Sequence, residues 1–247
     1  MITNSRIVIT DPHGCLKTLL ALIAKLPAGV PITFAGDLVD RGPNSMGVID
    51  FVKDGGYDCT RGNHEQMMID ELRFRNTTHG ERPYSDTYHG IWEMNGGDKA
   101  LESYRYEVEE EMANGEKIKV RPYNIAKLKD HLEWVKNLPY FKEYPEIKNA
   151  KGQHLLVSHT TAAHVWDDFA PDHPQFQQGI IWDRDNYPPK IEDRYNIYGH
   201  TPQYYGPTIK EHFACIDGGA YYKRAGYGKM FALQFPEMVL FEQENIE

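Results

Sequence analysis

Short apolar runs that break off at polar clusters recur along the chain. Arg6-Ile-Val-Ile-Thr10 stops at Asp11-Pro-His-Gly14, Ile32-Thr-Phe-Ala35 at Gly36-Asp-Leu-Val-Asp-Arg-Gly42, and Tyr57-Asp-Cys-Thr60 at Arg61-Gly-Asn-His-Glu65. Such runs predict buried strands, while Leu16, Leu19, Leu20 and Ile23 have the i, i+3, i+4, i+7 spacing of a helix face. The rhythm returns in His154–Val157 before Ser158-His159-Thr160, in Tyr195–Tyr198 before Gly199-His200-Thr201-Pro202, and in Phe213–Ile216 before Asp217-Gly218-Gly219. Met230–Phe235 and Met238–Phe241, on either side of Pro236, read as a hairpin. Strand, loop and helix in alternation predict an α/β layered fold, in which the loops beyond the carboxyl ends of the strands converge on one crevice.

Between about residues 76 and 153 the pattern changes to a charged, Tyr-rich stretch, with Glu107–Glu111 and Ala126–Leu138 as candidate helices. It contains no internal repeat or low-complexity linker. The expectation is a single domain over 1–247 carrying a surface insertion at about 76–153, a size one hydrophobic core can support. The formal charge of -9 argues against a protein that grips a nucleic-acid duplex by its phosphates, which requires a basic surface. No apolar run approaches the roughly 18 residues of a membrane span, and the start MITNSRIVIT lacks a signal-peptide layout. Cys15, Cys59 and Cys215 fit neither a disulfide framework nor a zinc knuckle, so a reducing compartment, the cytoplasm, is expected.

The polar clusters supply metal-ligand chemistry. Asp11, His13, Asp37, Asn63, His159 and His200 are oxygen and nitrogen ligand types, each placed just after a predicted strand. One carboxylate, two histidine-bearing loops and the amide could hold one divalent cation, and a second carboxylate could bridge it to another. Two cations about 3.5–4 Å apart clamp the attacking and leaving oxygens of a phosphoryl transfer. The neutral amide of Asn63 could ligate a cation without overcompensating the charge of the site.

The ordered set DPHG, GDLVDRG, RGNHE, SHTT and GHTP resembles the calcineurin-like metallophosphoesterases, and within them the PPP phosphatases. The run RGNHEQMMID is similar to that of the phage and bacterial members. The resemblance covers roughly residues 5–75 and 153–235. It departs from the family at Thr10, where glycine is usual, at Pro12, and in the SHTT loop. It implies a four-layer α/β/β/α sandwich enclosing two divalent metal ions, manganese foremost, with iron and zinc as alternatives. Asp11 and His13 would hold one ion, Asn63, His159 and His200 the other, and Asp37 would bridge them. His64 would be a general acid oriented by Asp40, and Arg41 and Arg184 would bind phosphoryl oxygens. The implied activity is serine/threonine protein phosphatase, on a phosphoprotein or phosphorylated small molecule, in a bacterial or phage-infected cell. The alternative is symmetrical hydrolysis of diadenosine tetraphosphate, whose enzymes share the RGP run seen at Arg41-Gly42-Pro43.

Simpler roles compete with each of these. Asp37, Asp40 and Arg41 could form a solvated turn, Asn63 could cap a helix, and Arg184 could pair with Asp183 or Asp185 on the surface. Pro12 should push Asp11 toward an extended backbone. His79, His89, His131, His154, His164, His173 and His212 read as surface or satisfied core histidines, and Gly218 and Gly219 as a turn. A dinucleotide reading would need stacking faces and phosphate contacts. Tyr84, Tyr88, Trp92, Tyr104, Tyr106 and Tyr123 could supply the former and Arg73, Arg75, Arg82, Arg105 and Arg121 the latter. A metal-stabilised binding module without catalysis is a third possibility.

Overall fold

In strand β1 (Arg6–Ile9) side chains alternate between two interiors: Ile7 and Ile9 point to one and Val8 to the other. This is the period-2 geometry of a strand buried on both faces. The computed structural model describes residues 4–78, 80–85 and 90–247. Strand β1 joins β2 (Ile32–Phe34) and β3 (Asp58–Cys59) in parallel. On its other side it pairs antiparallel with β13 (Lys229–Phe235), which forms the expected hairpin with β14 (Val239–Glu244). The first sheet therefore has the order β14-β13-β1-β2-β3. A second five-stranded sheet has the order β11-β12-β10-β9-β8, from β8 (Phe141–Lys148), β9 (His154–Ser158), β10 (Arg194–Tyr198), β11 (Thr208–Ile209) and β12 (Phe213–Cys215).

The two sheets face each other. Val8, Ala35, Phe231 and Leu233 of the first pack against Leu155, Val157, Ile197 and Ile216 of the second. On the outer face of the first sheet lie α1 (Leu16–Ile23), α2 (Ser45–Asp54), α3 (Asn63–Glu71) and α5 (Ile125–Lys136), which bury Leu19, Val48, Met67 and Leu132 with Ile7 and Ile9. Helix α6 (Pro174–Trp182) packs Phe176 and Ile180 under Leu156 of the second sheet. The layers are α/β/β/α. A polar bridge spans the sandwich at one edge. Arg6 donates to Thr33 Oγ1 at 2.9 Å and Asp58 Oδ2 at 2.7 Å in the first sheet, and Tyr144 OH reaches in from β8 to the same two residues at 2.8 and 2.9 Å.

Three local expectations are corrected. Leu20 is 45% exposed, and Leu22 takes its place on the buried face of α1, because the helix meets the sheet through Thr18, Leu19 and Leu22. The acidic run Glu107–Glu111 is not helical: Val108–Glu111 forms strand β6 and pairs with β7 (Lys117–Val120). Glu109 stands opposite Lys119 and Glu111 opposite Lys117, and Lys119 Nζ reaches Glu107 at 2.6 Å, so opposite charges face each other across the ribbon as they would not along a helix. The stretch 76–153 is also not one surface excursion. Its last part, β8, is a strand of the second sheet, and α5 belongs to the outer helical layer. The remainder contains the end of the hairpin β4 (Leu72–Thr77) and β5 (Gly80–Ser85), the short helix α4 (Asp98–Glu102) and the β6–β7 ribbon. Among the described residues no helix is long and apolar enough to cross a membrane.

Candidate metal centre

The loops after β1, β2, β3, β9 and β10 meet at one end of the sandwich. They bring together residues far apart in sequence because parallel strands present their carboxyl ends on one side. The loops are unusual in conformation. Eight non-glycine residues among those described have left-handed φ, and six of them are here: Asp11 (51°), His13 (39°), Asp37 (53°), Asp40 (73°), Arg41 (63°) and His200 (67°). Such conformations persist only where surrounding contacts over-determine them. Asp11 is thus not extended as Pro12 suggested. Its two carboxylate oxygens each accept the His200 backbone N–H at 3.1 Å, and that contact with the second sheet outweighs the local preference. It also explains Gly199, since a Cβ there would lie 1.7 Å from Asp11 Oδ2.

Asp37 lies at the middle. Its Oδ2 is 3.4 Å from His13 Nε2, and its Oδ1 is 3.4 Å from His159 Nε2. Asn63 Oδ1, His159 Nε2 and His200 Nδ1 converge within 2.8 to 3.1 Å of one another. Asn63 is the first residue of α3 rather than its cap; Gly62 holds the cap position. Two imidazoles have their tautomer set by backbone. His13 Nδ1 lies 2.8 Å from the Val39 carbonyl and His159 Nδ1 2.9 Å from that of Ala35. With those nitrogens donating, both Nε2 atoms present lone pairs toward Asp37.

Electrostatics sharpen this picture. Burial pushes the imidazoles of His13, His159 and His200 down, His200 to about 2, so they are neutral ligand types. Burial opposes ionisation of Asp37, but its carboxyl is held well below the usual range wherever positive charge stands at His159, His64 and His13 around it, whether on a ring or on a cation those rings would hold. Asp11 is pushed up by burial and by the nearby charges of Asp217 and Asp37. Asp217 is pushed up to about 7, chiefly by burial. Two groups, His13 with Asp37 and His64, and Asp37 with His159 and His200, each bring ligand atoms within 4.8 Å of one another, and a divalent cation there would relieve the repulsion among Asp11, Asp37 and Asp217. His200 Nε2 is buried without a hydrogen-bond partner, as is compatible with a ring held for its other nitrogen. The donor set fits two metals of the mixed nitrogen and oxygen class.

His64 differs from its neighbours. Its Nδ1 is 2.6 Å from Asp40 Oδ2, its Nε2 is 3.8 Å from Asp37 Oδ2, and although burial disfavours the charged ring, Asp37 and the Asp40 hydrogen bond raise its pKa overall. Arg41 Nη1 donates to Tyr221 OH at 2.6 Å, and the Tyr221 ring stands edge-on to His13 at 5.1 Å. Arg184 Nη1 points to the His200 carbonyl at 3.5 Å and to Thr201 Oγ1 at 3.4 Å, while neighbouring Asp185 pairs with His164 at 2.8 Å.

Asp217, Tyr221 and Glu65 were not singled out from sequence for the site, and Trp92 was expected there only as a stacking face for a dinucleotide. Asp217 stands at a strand end like the expected ligands, and that placement was the available signal. Tyr221 had none. Buried Glu65 accepts the backbone N–H groups of Gly62, Asp37 and Leu38 at 2.7 to 2.8 Å and so ties the loop after β3 to the loop after β2. Trp92 Nε1 donates to Asp40 Oδ1 at 2.9 Å. The remaining described histidines have ordinary partners: His131 lies between Tyr104 and Asp50, His154 meets Glu143, His173 caps α6, and His212 meets the Pro188 carbonyl. His79, His89 and Tyr88 lie outside the described residues. Gly219, with φ of 61° and its N–H on Asp217 Oδ1, forms the expected turn.

Comparison with known proteins agrees with this arrangement. Over 94 residues the chain is 33% identical to Serine/threonine-protein phosphatase 1 of Salmonella typhimurium, covering 37% of this chain and 38% of the relative. Over 65 residues it is 43% identical to the symmetrical bis(5'-nucleosyl)-tetraphosphatase of Ralstonia nicotianae, covering 25% of this chain and 23% of the relative. The chain thus spans less than two-fifths of the length of either. Among solved structures, a candidate diadenosine tetraphosphatase superposes with a TM-score of 0.59 at 17% identity, covering 99% of this chain and 95% of the other. A serine/threonine phosphatase of Saccharomyces cerevisiae gives 0.54 at 13% identity, covering 98% and 80%. The family model for calcineurin-like phosphoesterases matches residues 6–204, the span that contains Asp11 through His200, and the chain belongs to that family.

Proposed function

We propose that the protein hydrolyses phosphomonoesters of serine and threonine, and that Asp37 is the ligand two divalent cations, manganese foremost, would share. Asp11 and His13 would complete one site and Asn63, His159 and His200 the other. When bound, the cations supply Lewis acidity and bring the pKa of a water toward neutrality. Arg41 and Arg184 would hold phosphoryl oxygens by charge-assisted hydrogen bonds, which lets a net-negative protein bind an anion locally. His64 would protonate the departing oxygen, with Asp40 fixing its ring.

The observation that carries this reading is the buried His64–Asp40 pair at 2.6 Å. A general acid matters in proportion to the basicity of the leaving group, contributing about 10²–10⁴-fold. Serine and threonine alkoxides are strong bases and need that proton. A departing nucleoside diphosphate is a weak base and does not. The same pair argues against a binding module without catalysis, which would require no acid. Three buried thiols, the Cys15 thiol pushed up by burial to about 12, are in keeping with the cytoplasm as the compartment.

A second reading, symmetrical diadenosine tetraphosphate hydrolysis, is favoured by one feature. Beside Tyr221 lies a cavity of about 870 Å³ lined by Tyr204, Tyr205, Tyr222, Tyr227 and Arg224, where Arg224 covers Tyr222 and Tyr227 but the exposed ring of Tyr205 could take a base. The stacking faces expected in the 76–153 stretch do not add to it. Trp92 and Tyr104 are core, Arg75 covers Tyr84, and Arg105 covers Tyr123 while Glu102 engages both Arg105 and Arg121. Manganese-loaded protein assayed side by side on phosphoserine peptides and diadenosine tetraphosphate decides between the readings. A specific activity at least about tenfold higher on the dinucleotide, with two ADP as products, overturns the first. Inactivity on nitrophenyl phosphate and both of these substrates would leave only the binding module.

A further inference from the structure

The loop that carries Asp40 and Arg41 is held from outside by residues 91–97. Trp92 is 1% exposed, and its indole N–H donates to Asp40 Oδ1 at 2.9 Å, on the opposite oxygen from the one that faces His64 Nδ1. Gly96, with φ of 105°, offers its carbonyl to the Arg41 N–H at 3.4 Å, and a Cβ there would sit 2.6 Å from that nitrogen. Gly97 lies against the indole face, where a Cβ would come within 2.6 Å of the ring. The two glycines therefore allow one turn to press on the Arg41 backbone and on Trp92 at once. With both oxygens engaged, the Asp40 carboxylate has a fixed plane, and that plane sets the direction in which His64 presents Nε2.

We infer that Trp92 is a positioning residue for the His64–Asp40 pair, so that the 76–153 stretch takes part in leaving-group protonation instead of only decorating the surface. The inference rests on the proposal that His64 is the acid. The indole N–H of Trp92 meets the pair at Asp40 Oδ1, and Trp92 acts through that carboxylate. Phenylalanine at 92 would keep the packed ring and remove the N–H. Asp40 could then rotate, and His64 with it.

The test is a double-mutant cycle with Trp92→Phe and His64→Ala, on the manganese-loaded protein, using a phosphoserine peptide and nitrophenyl phosphate. Trp92→Phe should lower kcat on the phosphopeptide about tenfold, the factor one hydrogen bond to a charged group is worth, with KM little changed. The loss on nitrophenyl phosphate should be under about threefold, because phenolate leaves without help. In the His64→Ala background the same substitution should cost less than about twofold on either substrate, since nothing is left to orient. On the diamagnetic zinc-loaded protein, the His64 Nδ1 proton resonance should also shift in Trp92→Phe at unchanged metal content. A full tenfold loss that persists without His64, or equal losses on both substrates with His64 present and selective, would overturn the inference. If His64→Ala itself harms both substrates equally, the acid role fails, and coupling between the two positions still decides whether Trp92 orients the pair. Gly96→Ala, which presses on Arg41 instead, should raise KM and so be distinguished from Trp92→Phe.

Discussion

At Asp37 one carboxylate meets an imidazole from each sheet, His13 Nε2 and His159 Nε2, at 3.4 Å on its two oxygens. Asp37→Asn should remove at least one equivalent of bound metal, read by elemental analysis, and lower turnover more than about 100-fold, since even outer partners of metal ligands are worth 10–100-fold. Normal metal content with normal turnover would exclude a bridging role. His64→Ala should cost about 10²-fold or more on phosphoserine and far less on an aryl phosphate. Most of the candidate site was legible in the sequence because each of these residues follows an apolar run, so that the strand end announces the position. Glu65 was not legible as a site residue, nor was the role of Trp92 beside Asp40. Glu65 acts by accepting backbone N–H groups from loops whose approach only the fold creates, and Trp92 looks like any buried tryptophan until Asp40 is placed beside it.

Helices and ribbons follow the same division. The strand pattern was readable because double-sided burial forces β-branched and aromatic runs. The acidic run 107–111 misled because charge alone carries no period, and its pairing with Lys117–Val120 is a cross-strand matter. The β6–β7 ribbon is largely exposed, and its base is closed by the Arg105–Tyr123 bridge. Replacing 108–120 with a short Gly-Asn turn should leave kcat/KM on phosphopeptide within about twofold, as expected for an exposed excursion with joined ends. Helix α5 has a pH-dependent tie to α2, since His131 is buried between Tyr104 OH and Asp50, and burial lowers its pKa despite Asp50. A histidine lowered on folding contributes stability that is present above its unfolded pKa of about 6.5 and lost as pH falls through the folded value. The melting temperature should therefore fall on acidification below about pH 6.5, and His131→Gln should flatten that part of the curve relative to the parent protein.

For the molecule as a whole, the crowd of Asp11, Asp37 and Asp217 means that the metal-free form holds repelling carboxylates at the seam of both sheets. Adding manganese at about a hundred times its dissociation constant should stabilise the fold by roughly 3 kcal/mol, a rise in melting temperature on the order of 5–10 °C for a chain of this size, and chelation should reverse it. A melting curve indifferent to manganese would mean the residues hold no ion. The sandwich itself could be inferred from sequence only through family resemblance, because the strand order and the facing of two sheets depend on contacts between residues far apart in the chain. Among these is the edge bridge of Arg6, Thr33 and Asp58 with Tyr144, in which Thr33 and Tyr144 are 111 positions apart. Asn63 is carried by the first sheet and its neighbours His159 and His200 by the second, so any sliding of one sheet over the other would shear the cluster apart. The bridge then acts as a lateral fastener, and slackening it with Tyr144→Phe should make phosphatase activity fade on warming several degrees before the helices melt.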